Sequence, residues 1–439
     1  MLIRRGVLTL CAGLILGCTP QLASAQAPAL HADVAALYPG LELLYRDLHS
    51  KPELGFQETR TSALLAARLK TLGYDVTTGI AKTGVVALLK NGEGPVVMLR
   101  SEMDALPVAE RTGSPFASTV MAKNAAGQVV PVMHACGHDL HMSALIGAAE
   151  WMAAHRDRWR GTLMLVGQPS EESVSGAPAM LADGLFERFP KPQFAISLHD
   201  DDSLPSGTVG IRPGVFRAAM NAPTITIYGR GGHGGMPHNA IDPVVIAART
   251  VLALQTIVSR EVNPLDATVI TVGSIHGGTL GNVIPDEVKL QLSVRTLSED
   301  NRARVLAAIE RTVKAEAVAG RSPREPHIDW GTGTDAVYNE PALAGRLMTA
   351  LRTTLGADRV VEMPAKMTSE DFSQYGRAGV PSLLMHIGAV PPEKLAESRR
   401  TGIPVPAPHS PEFLPDLKPT LTGATLAEIT VLLDLLGAR

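Results

Sequence analysis

The chain has 439 residues, 45% hydrophobic and 19% charged, enough for two domains with separate cores. With 40 basic against 43 acidic residues, a net charge of −3 and 4% aromatic residues, it offers neither a basic field for nucleic acid nor a stacking surface for bases or sugars. Its 41 glycines and 32 prolines follow no Gly-X-Y period, which excludes a collagen-like chain.

The N-terminus reads as an export signal. Arg4 and Arg5 precede an apolar stretch at 7–16, and Ala23-Ser24-Ala25 is a small-residue cleavage site. Residues 1–25 are therefore the expected signal peptide, and a periplasmic or secreted chain begins at Gln26. Ile15-Leu16-Gly17-Cys18 also resembles a lipoprotein processing site, and a lipid on Cys18 is the one membrane attachment the sequence suggests. Arg4-Arg5 weakly resembles a twin-arginine signal. Beyond this segment no apolar run reaches the ~18 residues of a spanning helix. Of Cys11, Cys18 and Cys136, only Cys136 survives cleavage, so no intrachain disulfide is expected.

Residues 40–72 read as two helices around the loop His49-Ser50-Lys51-Pro52-Glu53-Leu54-Gly55-Phe56. The second carries Leu64, Leu65, Leu69 and Leu72 at helical spacing and stops at Gly73. Strand-like runs at 85–90, 96–100, 162–166 and 194–198 alternate with a helical stretch at 140–155, the pattern of a mostly parallel sheet covered by helices. Near residue 213 the texture changes. Runs at 222–228, 268–274 and 288–295 alternate apolar and polar residues, as half-solvated antiparallel strands do, beside helical stretches at 243–259 and 301–318. From about 328 the first texture returns, with a strand at 382–387 and a terminal helix at 417–436. The expected fold class is α/β. A catalytic domain on a mixed, mostly parallel sheet (26–213 and 328–439) is interrupted by an inserted α+β domain (214–327) of an antiparallel four-stranded sheet plus two helices.

Four clusters hold acid–base or metal-ligating groups, each where a strand hands over to a loop. They are Arg100-Ser101-Glu102-Met103-Asp104, His134-Ala135-Cys136-Gly137-His138-Asp139, Gln168-Pro169-Ser170-Glu171-Glu172 and Leu198-His199-Asp200. In an open α/β sheet the carboxyl ends of the strands form the ligand crevice. Thiolate, imidazole and carboxylate together are the donor set of zinc or a similar divalent ion. Cys136 and His138, two residues apart, face one site from an extended loop; Glu171-Glu172 offers one carboxylate to a metal and one to a water. Gly229-Arg230-Gly231-Gly232-His233-Gly234 fits G-x-G-x-x-G, but no helix opens there and no acidic residue follows at the required distance, so a dinucleotide site is rejected. Serine-hydrolase elbows, HExxH helices and Walker loops are absent.

These clusters, with 49–58, 231–238, 277–286, 369–372 and 409–413, resemble the M20 metallopeptidase family, specifically the amidohydrolase subgroup of hippurate hydrolases, indole-acetyl-amino-acid hydrolases and related aminoacylases and carboxypeptidases. The resemblance spans nearly all of the mature chain. It implies that Cys136, His138, Glu172, His199 and His409 bind two divalent metals, zinc or manganese, with cobalt also accommodated. It implies Glu171 as general base and Asp104 as the residue orienting a ligand-bearing loop. It makes the inserted domain a lid or dimerisation domain whose His233 reaches the partner's site in a homodimer. Asn282 and Arg295 would bind the substrate's free carboxylate, and His141, His238 and His386 would be supporting or structural. Relatives usually carry Ala-Asp-Met-Asp where this chain has Ser101-Glu102-Met103-Asp104. The implied activity is metal-dependent hydrolysis of N-acyl-amino acids or dipeptide-like substrates with a free carboxylate. A catalytically silent periplasmic binding protein and a carboxypeptidase of longer peptides are the alternatives.

Overall fold

The computed structural model describes residues 20–437. Most of the expected leader, including Arg4, Arg5, Cys11 and Cys18, lies outside the described residues. Residues 20–25 open the helix Pro20–His49.

An eight-stranded sheet positions the site. Its order from edge to edge is Asp75–Ile80, Gly84–Asn91, Gly161–Gln168, Val96–Glu102, Phe194–Pro205, Ser382–Val390, Val209–Ile211, Val360–Glu362. The four middle strands, from Gly161–Gln168 to Ser382–Val390, run parallel. Antiparallel pairings at Gly84–Asn91 and Val209–Ile211 flank them, so the sheet is mixed and mostly parallel. Both faces are buried, which is why these strands read as near-continuous apolar runs. Val97, Leu99, Leu163 and Leu165 pack with Leu145, Leu347 and Leu432 of the helices His138–Ala154, Pro341–Leu355 and Leu417–Leu436. Met98, Met164 and Val166, one step out of phase, pack the other face against Met180, Phe372 and Tyr375. Among the described residues two helices, Pro243–Glu261 and Leu417–Leu436, are long and apolar enough by composition to span a membrane; the second is mostly buried in this core.

A second sheet has six strands where the sequence reading expects four. It runs His327–Asp329, Thr224–Tyr228, Glu287–Thr296, Ala219–Asn221, Gly333–Thr334, with Thr268–His276 paired to Glu287–Thr296. Three of the six have three residues or fewer, too short for alternation to register. The long central strand alternates faithfully: Val288, Leu290, Leu292 and Val294 are buried under the helices Pro243–Thr256 and Glu299–Ala319.

Candidate metal centre and active site

The parallel strands deliver their polar residues to one end of the main sheet. Strand Val96–Glu102 runs out into Asp104, and strand Gly161–Gln168 into Glu171 and Glu172. Cys136 ends a buried loop and His138 opens the helix His138–Ala154. Gly137 between them turns at φ 70°, and a Cβ there would fall 2.5 Å from Asp200 Oδ1. His199 does not follow its strand as expected. The strand extends to Pro205, and His199 pairs in register with His386. His409 comes from the far C-terminal part of the chain with φ 71°, its amide held by Ala135 O at 2.7 Å.

These side chains meet. Cys136 Sγ lies 3.5 Å from His199 Nε2. His138 Nε2 is 3.9 Å from Glu172 Oε1, and His409 Nε2 is 3.4 Å from Glu172 Oε2. Cys136, His138 and His199 form one close donor group, and Cys136, Glu172 and His409 another, with the thiol common to both. His138 Nδ1 donates to Asp104 O at 2.7 Å and His199 Nδ1 to Asp200 O at 2.8 Å. Both rings are thereby fixed with Nε2 turned toward the thiol side, the outer-shell arrangement that readies imidazole as a ligand. His138 Nε2 and Glu172 Oε1 are buried with no hydrogen-bond partner. A divalent cation is the partner such atoms fit.

The electrostatics agree. Burial, then Glu172, Asp200 and Glu171, push the Cys136 thiol well up, against a smaller opposing pull from Arg217. Burial and Arg217 hold His199 neutral. Against the pull of burial, bonding to Asp104 and the charges of Glu102 and Glu172 lift His138 to about 10. A field that keeps a proton there would equally favour a divalent cation in its place. Burial, then Glu370, Glu172 and Asp371, raise Glu171 well above the usual carboxylate range.

Asp104 is buried beneath the loop that carries the two glutamates. Its Oδ1 accepts from Glu171 N and its Oδ2 from Glu172 N, both at 3.0 Å. Glu102 reaches the Arg100 guanidinium and His141 Nδ1 (3.1 Å), so its extra methylene is used in a buried ion cluster. Arg100 also meets Glu370 and Asp371, each at 2.9 Å.

Residues 98–400 match the family described as Peptidase family M20/M25/M40. The chain belongs to this family. It is 35% identical to the N-acetyl-L-cysteine deacetylase of Bacillus subtilis over 75% of this chain and 76% of that one. Identity to the IAA-amino acid hydrolase ILR1-like 2 of Arabidopsis thaliana is also 35%, over 75% and 72%. A dinuclear metal-binding M20 peptidase of Bacillus subtilis superposes with a TM-score of 0.72 at 27% identity, covering 90% of this chain and 98% of that one. The protein is thus an M20 metallo-amidohydrolase that hydrolyses amide C–N bonds and binds divalent metal.

In this M20 chain a cavity of about 760 Å³ opens above the donor groups, lined by Cys136, Glu171, Glu172, His199, His409 and Arg295. Arg295 is tied by Nη1 to Met367 O and Ser369 Oγ, both at 2.9 Å. His233 and Asn282 do not line it. They sit together on the second sheet's side, joined by the two-residue pairing of Gly232–His233 with Val283–Ile284, and both are exposed. His238 is exposed near them. Sequence reasoning missed Arg217 and Lys366 on the cavity wall. Arg217 Nε donates to His386 Nε2 at 3.1 Å, and His386 Nδ1 donates to Asp201 Oδ2 at 2.6 Å. Lys366 pairs with the same carboxylate. The available signal was a single Arg between Phe216 and Ala218, a charge closing the short strand Gly214–Arg217.

Proposed function

We propose that this protein hydrolyses N-acyl-amino acids or dipeptide-like substrates bearing a free carboxylate, releasing an acid and an amino acid. The observation that carries the reading is the pair of donor groups sharing Cys136, with His138 Nε2 and Glu172 Oε1 unsatisfied, beneath a cavity into which Glu171 opens. Cys136, His138, Glu172, His199 and His409 would hold two divalent ions, zinc or manganese. Bound there, the ions would polarise the amide carbonyl and acidify a water.

Glu171 moves the proton. As a carboxylate at the cavity wall it takes the water's proton on its oxygen and passes it to the amine nitrogen as the C–N bond breaks. Burial suits it to hold that proton between the two steps. Asp104 fixes the loop amides and thus the direction of Glu171. Arg295, its Nη1 and Nε bonded within the chain, would offer Nη2 and its charge to the substrate carboxylate.

We further propose a homodimer in which the second sheet's unit is a lid and dimerisation domain, and His233 and Asn282 serve the other subunit's cavity. Two features support this reading. The two residues are exposed and stand outside their own chain's cavity. Among the described residues strand Thr268–His276 pairs on one edge only, and it exposes Ile275, while the adjacent helix Pro243–Thr256 exposes Val245 and Leu252. Export with cleavage after Ala25 is proposed from the leader sequence, and N-terminal sequencing of the mature protein should begin at Gln26.

The test is release of free amino acid from a panel of N-acyl-amino acids and dipeptides by residues 26–439, stripped of metal and resupplied with Zn²⁺, Mn²⁺ or Co²⁺. Metal-dependent release that Glu171→Gln abolishes supports the proposal. Release from longer peptides alone favours the carboxypeptidase reading. No release with any ion, beside tight ligand binding, refutes it.

A further inference from the structure

The reaction above leaves the segment 49–58 without a task. Its last residue, Glu58, is fully buried at the start of the helix Thr59–Thr71, yet its side chain does not cap that helix. Glu53 serves there instead, accepting from Arg60 N at 3.0 Å and Thr61 N at 2.8 Å. Glu58 turns away. Its Oε1 accepts from Ser170 N at 2.9 Å and its Oε2 from Thr83 Oγ1 at 2.6 Å.

Ser170 is the residue before Glu171. It stands at φ 52°, a left-handed conformation that a side-chain-bearing residue keeps only when its surroundings impose it. Two neighbours impose it from the same segment. Gly55 packs so closely that a Cβ there would fall 2.5 Å from Ser170 Oγ and 3.2 Å from its Cα. Glu58 takes the amide. The next two amides, of Glu171 and Glu172, belong to Asp104. Three successive N–H groups are thus divided between two buried carboxylates, and the boundary falls at the strained residue.

We propose that Glu58 is a positioning residue of the reaction: by holding the Ser170 amide it keeps the left-handed turn that aims Glu171 into the cavity. The proposal rests on Glu171 as the proton carrier. Without the Glu58 bond, Ser170 relaxes toward an unstrained φ, and the chain rotates one residue before the reacting carboxylate. Glu172 stays anchored through Asp104, so metal binding is spared and proton transfer is not.

The experiment uses the manganese-loaded mature enzyme and the fastest N-acyl-amino acid of the panel. Glu58→Ala is expected to lower kcat on the order of 10- to 100-fold, the scale of a small misplacement of a reacting group, with KM and two bound ions per chain unchanged. Deuterium uptake in the peptide spanning 168–175 rises, a readout independent of turnover. Glu58→Gln, whose amide oxygen still accepts from Ser170 N, stays within about threefold of wild type. Thr83→Val removes the other partner and leaves kcat in place. Ser170→Gly, for which a left-handed turn is unstrained, restores part of the kcat lost in Glu58→Ala. A folded Glu58→Ala enzyme with wild-type kcat overturns the proposal, as does an equal loss in Thr83→Val or a loss tracking missing metal. Should Glu58→Ala fail to fold, Glu58→Asp decides, because it keeps the buried charge and withdraws it from Ser170; unchanged kcat there overturns the proposal too. Wild-type rates in Glu171→Gln overturn the premise instead, whereas an inactive Glu171→Gln beside a fully active Glu58→Ala removes this inference alone.

Discussion

Asp104→Ala tests how the loop is held from the other side. The wild-type carboxylate is buried and accepts from Glu171 N and Glu172 N at 3.0 Å each. A charge-assisted hydrogen bond contributes about 1.5–3 kcal/mol, so losing two withdraws roughly 3–6 kcal/mol from the productive loop conformation. Glu58 still holds Ser170 N, and Asp371 still holds Ala177 N at 2.9 Å. The loop's flanks therefore stay in place, and the lower end of that range applies. About 3 kcal/mol corresponds to a ~100-fold fall in kcat/KM. Asp104→Asn keeps one acceptor oxygen and turns an NH₂ donor on the other amide, so its loss falls between wild type and Ala. Initial rates, metal analysis and a thermal melt on the three proteins check the series. A folded, metal-loaded Asp104→Ala enzyme within about threefold of wild type would refute the claim that these two amides are held for catalysis.

Glu428 in the helix Leu417–Leu436 is 2% exposed and its Oε2 has no hydrogen-bond partner among the described residues; burial, then Glu102, raise its carboxyl well above the usual 4.5. Above 4.5 the unfolded chain releases this proton while the folded chain keeps it, so wild-type stability falls as pH rises. The Tm advantage of Glu428→Gln should therefore widen from about pH 5 to about pH 8, and a pH-independent difference would count against the reasoning. Cys136→Ser exchanges a soft donor for a hard one, so zinc retention on dialysis should fall more than manganese retention; equal losses would exclude the thiolate as a ligand. Mixing Glu171→Gln with His233→Ala protein should restore up to about a quarter of wild-type activity, since half of the random dimers carry one intact composite site. Restored activity that is absent on mixing places His233 outside the partner's cavity.

Much of the fold was legible because burial on both faces leaves a plain mark. The run 162–166 is apolar after Thr162, and the structure extends it by only a residue or two at each end, to Gly161–Gln168. The helix Thr59–Thr71 was readable from its apolar spacing and its stop at Gly73, and the terminal helix falls where the reading put it, at Leu417–Leu436. What escaped has physical reasons. Asp75–Ile80 is an edge strand with one fully buried residue, so no apolar pattern marks it. Strand Phe194–Pro205 continues through Asp200, Asp201 and Asp202, a run that reads as loop. Asp201 is tolerated there because Lys366 neutralises it and His386 donates a hydrogen bond to it, and those partners lie more than 160 residues away in sequence.

The same contrast runs through the site. Thiol and imidazole are uncommon and chemically distinctive, so Cys136 and His138, together with the acidic clusters at other strand ends, point to a site. The groups that hold the loop of Glu171 and Glu172 are ordinary carboxylates, whose meaning depends on the donors they meet. Glu53 and Glu58 stand five residues apart on one loop, yet one caps its own helix and the other reaches an amide 112 residues away. Arg100 joins Glu102 two residues off and Glu370 270 residues off in one buried cluster. Nothing local distinguishes such residues from a solvated surface charge. Burial decides it, because a carboxylate taken out of water must find donors, and the donors within reach here are the amides of the loop that carries Glu171.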